Sequence, residues 1–185
     1  FPMHLNIMMI DKVLPEMEGG DTHHETDSWK ILSDFDNTLI EKIETDFLKV
    51  NSIKVFHGNS LSGKTCWLYE PYQMTNPTTG KNDYYGIPYK RSQAELDSLF
   101  LAIHQRGLQI AVHSNGDREI DMVLNAFEKV YASGNPLNIH HRIEHCSVVN
   151  DSIISRIKKL GVIPVLHNYI NELGDLLDPY GEERL

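Results

Sequence analysis

"LQIAVHSNGDREIDMVLNAFEKVYASG", residues 108–134, changes its periodicity once, and that change decides the fold. "LQIAVH" is a short apolar run of the kind that forms a buried strand. The turn "SNG" follows, and then "REIDMVLNAFEKVYA" reads as a helix, with Asp117 as its expected cap and Gly134 as its stop. The same beat continues on both sides. Upstream, Ser92 and Glu95 form an S-x-x-E capping box, and "AELDSLFLAIHQR" repeats apolar residues at helical spacing until Gly107. Downstream come the less apolar strand "HRIEH", the helix "DSIISRIKKL" closed by Gly161, and the strand "VIPVLH". "HLNIMMI" and "SIKVFHG" read as earlier strands. Strand alternating with helix at this rhythm predicts right-handed βαβ units and a parallel α/β sheet.

The intervening segments are less regular. "PEMEGGDTHHETDS" (15–28) is a polar loop in which His23 and His24 are solvated, and "WKILSDFDNTLIEKI" fits helix and strand equally. A long stretch rich in Gly, Pro, Asn and Thr runs from "SIKVFHG" to about residue 91. A loop of that length inside a compact domain is functional or flexible.

A chain of 185 residues suffices for one domain with a substantial core. The formal net charge of −9, with no Lys/Arg run, makes nucleic acid a poor partner. No apolar stretch approaches the ~20 residues that cross a bilayer. The first residues lack the basic region and cleavage site of a signal peptide. Two cysteines, Cys66 and Cys146, are too few for a disulfide framework, so a reducing cytoplasm is expected.

Histidines end the strands. "LQIAVH" stops at His113, "HRIEH" at His145 and "VIPVLH" at His167, while "SIKVFHG" carries Lys54 and His57. In parallel α/β folds catalytic groups gather at strand C-termini. Imidazoles placed there converge on one side of the sheet, which suits zinc with an open position for water. Zinc lowers the pKa of its water from about 15.7 to about 7, making hydroxide available. A single strand-end histidine is otherwise a hydrogen-bonded structural residue.

Two short motifs point elsewhere. "DFDNT" resembles the nucleophile loop of haloacid-dehalogenase-like phosphatases, with Asp34 as nucleophile and Asp36 as proton donor. Ser114-Asn115, Lys158 or Lys159, and "GDLLD" (174–178) echo that family's other motifs in order. However, "SWKILS" is a short strand at best, "NYINEL" before "GDLLD" is not convincingly apolar, and His113 and His145 are left without a task. This phosphatase reading is the alternative enzyme class. Gly58, Gly63, Lys64 and Thr65 match G-x-x-x-x-G-K-T, but "CWLYEPYQMTNPTTG" after them is no helix, so nucleotide binding is rejected.

Three blocks in order carry a resemblance: "IKVFHGNSLSGKTCWLYEPY" (53–72), "LQIAVHSNGDREIDMVLNAFE" (108–128) and "HRIEHCSVV" (141–149). "SQAELDSLFLAIHQRG" falls between them and "LGVIPVLHNY" after them. Together they resemble amidohydrolase family 3, metal-dependent hydrolases that include N-substituted formamide deformylase. The resemblance implies a TIM-type (β/α) barrel with a metal centre at the strand C-termini. It makes His113 and His145 metal ligands, and Lys54 a carbamylated lysine bridging two ions. An unmodified lysine near pKa 10.4 would repel an ion, whereas a carbamate offers anionic oxygens; the other role for Lys54 is a structural ion pair. Arg142 and Glu144 orient the histidines or pair with each other. Asn115, Gly116 and Asp117 form the turn and cap behind them, and His57 and His167 line the rim as substrate contacts.

The chain departs from that pattern in two ways. Gly58-Asn59 stands where the family commonly shows Asp-Gly after the lysine strand, and neither the H-x-H of strand one nor the Asp of strand eight has a counterpart. A whole barrel takes about 250 residues. Residues 1–185 therefore read as one partial barrel catalytic domain, roughly strands three to seven. The expectation is a fragment of a cytoplasmic amidohydrolase whose one or two Zn2+ ions activate hydroxide against an amide- or formamide-like C–N bond in a small molecule. The isolated chain is expected to bind metal weakly, to lack turnover and to form homo-oligomers through exposed barrel edges. The non-enzymatic alternative is a regulatory barrel fragment.

Overall fold

The computed structural model describes residues 5–10, 45, 46, 48–134, 137–167 and 173–184. Its elements are β1 (Leu5–Ile10), β2 (Leu48–Phe56), α1 (Gln93–Gln105), β3 (Gln109–Ser114), α2 (Asp117–Ala132), β4 (Arg142–His145), α3 (Asp151–Leu160), β5 (Ile163–Leu166) and α4 (Leu173–Tyr180), with a 3-10 turn at Glu182–Arg184. The five strands form one sheet in the order β1-β2-β3-β4-β5, and every neighbouring pair is parallel. A strand order that never reverses is the winding of a (β/α) barrel rather than of a doubly wound sheet. The chain is part of such a barrel. None of the described helices is long and apolar enough to cross a membrane.

Alternation along the strands sets up two faces. Ile53 and Val55 of β2, Ile110 and Val112 of β3 and Ile143 of β4 are all buried in the main core. Helices α1 and α2 cover that face with Leu96, Phe100, Ile103, Val123, Phe127 and Val130. The alternate positions, Lys54, Phe56, Ala111, His113, Arg142 and Glu144, therefore face the barrel interior.

Helix ends follow the sequence with one correction. Ser92 and Glu95 form the expected capping box at α1, and Gly161 closes α3 at φ 66°. At α2 the cap is Gly116, not Asp117. A Cβ at Gly116 would lie 2.2 Å from the Trp67 carbonyl oxygen, so no capping side chain fits there. Asp117 is instead the first helical residue, and its Oδ1 accepts the Tyr69 and Arg118 amides at 3.0 and 2.8 Å. At α3 the Asn150 side chain accepts the Ile153 amide at 3.0 Å. Replacing Asn150 with alanine is expected to cost about 1 kcal/mol, read as a lowered urea midpoint at unchanged slope.

The 57–91 stretch has a small core of its own. Leu61, Cys66, Leu68 and Tyr72 pack with Val148 and with Leu176 and Tyr180 of α4. The hydroxyl of Tyr72 donates to the Cys66 carbonyl at 2.8 Å, and that of Tyr180 to the Leu61 carbonyl at 2.7 Å. Burial pushes the Cys66 thiol up to about 12, which keeps it unreactive. At the far side of the sheet, Ile163 and Leu166 of β5 are 43% and 74% exposed.

Candidate metal centre

His113 is the penultimate residue of β3 on the interior face, with its ring centroid 4.6 Å from that of His145 on β4. His167, just beyond β5, lies 5.5 Å from His145. Three successive strand ends therefore bring their imidazoles into one row. His145 reaches this row against the alternation of its strand, which would send it to the helix side with Ile143. Positive φ at His145 (74°) and Cys146 (45°) breaks the pleat and re-aims the ring. Two adjacent non-glycine residues in this region carry backbone strain of the sort that collects at functional sites.

The His113 ring is held from behind. Its Nε2 lies 3.0 Å from the Asn59 carbonyl oxygen, to which Asn115 Nδ2 also donates at 2.7 Å. A carbonyl only accepts, and Asn115 Nδ2, 3.1 Å from the same nitrogen, directs its hydrogen to that carbonyl at 2.7 Å; a proton on Nε2 then satisfies the contact and leaves the lone pair on Nδ1. Metal-ligating histidines are held in this way, by a carbonyl on the nitrogen away from the ion.

Lys54 completes the group from β2. Its Nζ lies 5.6 Å from the centroid of the Phe56 ring, which in turn sits 5.5 Å from His113. Burial pulls the lysine below its usual pKa; Glu144 opposes this and Arg142 reinforces it. His145 is also lowered, first by burial and then by the charges of Lys54 and His167. Arg142 and Glu144 pair through two hydrogen bonds of 2.8 and 3.2 Å, so each limits the other's charge beside the histidines. Among the described residues no three His, Cys, Asp or Glu side chains are grouped to hold a metal ion. Two imidazoles face each other here, with Lys54 near enough to depress His145, and such a set would suit a divalent ion only with the lysine as an anionic carbamate.

Other expected site residues lie elsewhere. His57 does not line the rim: it is fully buried, its ring nitrogens lack partners among the described residues, and Tyr89 packs on it at 5.1 Å. His57 continues the alternation of Ile53 and Val55 to the helix side of the sheet, its amide still donating to the His113 carbonyl at 3.1 Å, and there Tyr89 covers it. Asp117 is turned away toward Tyr69, as described. Asp34 and Asp36 lie outside the described residues, and residues 174–178 sit inside α4. No helix starts at Thr65, the next one beginning only at Gln93, in keeping with the rejection of a nucleotide loop.

One residue escaped the sequence reading. Glu119 in the first turn of α2 is fully buried, yet its carboxylate accepts four backbone amides, from Asn59, Trp67, Asn115 and Gly116. Burial pushes it up to about 7 against the pull of those donors. No local motif announces it, because two of its partners are 60 and 52 residues away.

A family model described as "Amidohydrolase family" matches residues 5–184, nearly the whole chain. The chain belongs to the amidohydrolase family. Within it, the chain is 28% identical over 167 residues to YtcJ of Bacillus subtilis (strain 168), a protein named as an amidohydrolase, covering 88% of this chain and 28% of YtcJ. Two solved structures titled as uncharacterized metal-dependent hydrolases are also similar. The one from Pyrococcus furiosus is 30% identical with a TM-score of 0.63, over 84% of this chain and 30% of its own. The one from Pyrococcus horikoshii OT3 is 27% identical with the same TM-score of 0.63, over 84% and 29%. This amidohydrolase chain thus spans less than a third of the length of the relatives it matches.

Proposed function

We propose that this chain supplies the metal-holding wall of a hydrolase that cleaves a C–N bond of an amide- or formamide-like small molecule. The reading rests on the 4.6 Å approach of the His113 and His145 rings at neighbouring parallel strand ends. Family membership and the likeness to metal-dependent hydrolases support it. His113 and His145 would hold a zinc-type divalent ion, with Lys54 as a third donor if carbamylated. Such an ion supplies Lewis acidity toward a carbonyl oxygen and lowers the pKa of water.

The chain's own residues prepare that chemistry. The Asn59 carbonyl keeps His113 in the Nε2–H tautomer, and the lowered pKa of His145 keeps its imidazole neutral and able to donate a lone pair. The lowered pKa of Lys54 raises the share of neutral amine, the form that adds carbon dioxide. His167, exposed beside His145, would be the residue that meets a substrate.

The test uses the protein that carries this chain, as the cell makes it, with metal content measured directly. N-substituted formamides should release amine and formate, a chelator should stop the release, and zinc should restore it. Hydrolysis of phosphate monoesters without C–N cleavage would instead favour the Asp34/Asp36 phosphatase alternative.

A further inference from the structure

We propose that Glu119 is a positioning residue for His113, holding the ring's orientation and tautomer through the Asn59 carbonyl, which Asn115 Nδ2 also grips at 2.7 Å. The proposal rests on the reading of His113 as a metal ligand and adds a residue to that site. Among the described residues, both groups within reach of His113 Nε2 hang from this one carboxylate. Glu119 Oε1 accepts the amide of Asn59 at 2.9 Å and that of Trp67 at 2.8 Å. Its Oε2 accepts the amides of Asn115 at 3.2 Å and Gly116 at 3.0 Å. Asn59 then presents its carbonyl to His113 Nε2 at 3.0 Å, and Asn115 Nδ2 lies 3.1 Å from the same nitrogen. The carboxylate therefore ties the turn after β2 to the turn after β3, and His113 sits where those turns meet.

The geometry at position 58 ties this role to the sequence departure noted above. Gly58 has φ 137°, and a Cβ built there would lie 2.4 Å from Glu119 Oε2. The space beside the lysine strand that an Asp side chain would enter is already filled by a carboxylate, delivered from α2. Two acidic side chains do not fit this space together.

One side-chain bond joins the two turns directly, Asn115 Nδ2 to the Asn59 carbonyl at 2.7 Å, but it leaves their backbone amides unheld. Asn59 has further support, its Nδ2 donating to the Ile87 carbonyl at 2.6 Å, and Asn115 Oδ1 accepts from Ser147 at 2.8 Å. Neither contact links the two turns to each other. Glu119 alone bonds to backbone amides on both sides among the described residues.

The test compares wild type with Glu119→Gln, which places an NH2 against one pair of amides, and with Glu119→Asp, which keeps the charge but shortens the reach. The first readout is the nitrogen-15 NMR signature of the His113 ring without metal. Wild type should show the Nε2–H tautomer, and both variants a mixture. The second is zinc affinity by calorimetry, which should fall about 10–100-fold, as for loss of a group that orients a ligand. A lower melting temperature with the wild-type tautomer would overturn the proposal and leave Glu119 a structural clamp. Should those variants fail to fold, Gly58→Ala pushes a methyl against Oε2 from outside and must shift the same ring signature; an unchanged signature overturns the proposal. His113→Ala separates the two ideas. If it leaves zinc affinity unchanged, the metal reading fails, while the tautomer readout still decides for or against Glu119.

Discussion

Replacing His113 with alanine is expected to lower zinc affinity by more than the roughly 10–100-fold that loss of an orienting partner costs, because under the proposed function it removes a ligand itself. What remains is His145 beside Lys54, and an unmodified lysine is a cation that repels the ion. The half-buried His113 ring packs on Phe56 at the open end of the sheet, away from the helix-side core, so the fold should survive. His145→Ala should lose affinity to a similar degree but is the less clean substitution. Its backbone sits at φ 74°, a region that histidine enters more readily than most residues, so alanine there adds strain. Calorimetry on folded protein reads the first effect and thermal melting controls for the second. Unchanged affinity in His113→Ala would remove that residue from the centre.

Acid should destabilise the protein through two buried imidazoles. Burial holds His57 and His141 down to about 3, below the 6.5 of an unfolded chain. Arg91 adds to the effect at His57, and His104 and His140 add to it at His141. The Ile110 amide donates to His141 Nδ1 at 3.1 Å, so protonating that nitrogen breaks the bond. Between pH 6.5 and about 3 the unfolded chain binds protons that the folded one refuses, and stability falls as pH falls. Each group contributes up to about 1.4 kcal/mol per pH unit in that window. Glu119 acts in the opposite sense. Its carboxyl is raised from 4.5 to about 7, so the folded state gains the proton first and stability rises on acidification across that interval. The loss should therefore be shallow above about pH 4.5 and steep below it. Urea unfolding across this range measures the profile, and His57→Phe, which keeps a ring against Tyr89, should flatten it. An identical slope in that variant would show that His57 does not titrate on unfolding.

Local signals made the barrel readable. The "LQIAVH" run, the Ser92/Glu95 box and the stop at Gly161 act within a few residues of themselves, and each sits where the sequence placed it. Strand-end position also placed His113, His145 and His167 correctly in one row. What stayed hidden depends on distant parts of the chain. Gly116 caps α2 because Trp67 passes over it, and His57 is buried because Tyr89 covers it. Glu119 looks like an ordinary first-turn glutamate until the 58–67 loop closes on it. The inward aim of His145 depends on the sign of one backbone angle, which alternation alone gets wrong.

In the proposed centre His113 and His145 would share one ion. Zinc titration followed by the nitrogen-15 ring signals of the histidines reads this out. The signals of residues 113 and 145 should move together in a single transition, while that of buried His141 stays still. Zinc uptake that leaves the 113 and 145 rings unmoved, or moves them at different metal concentrations, would mean that they do not share an ion.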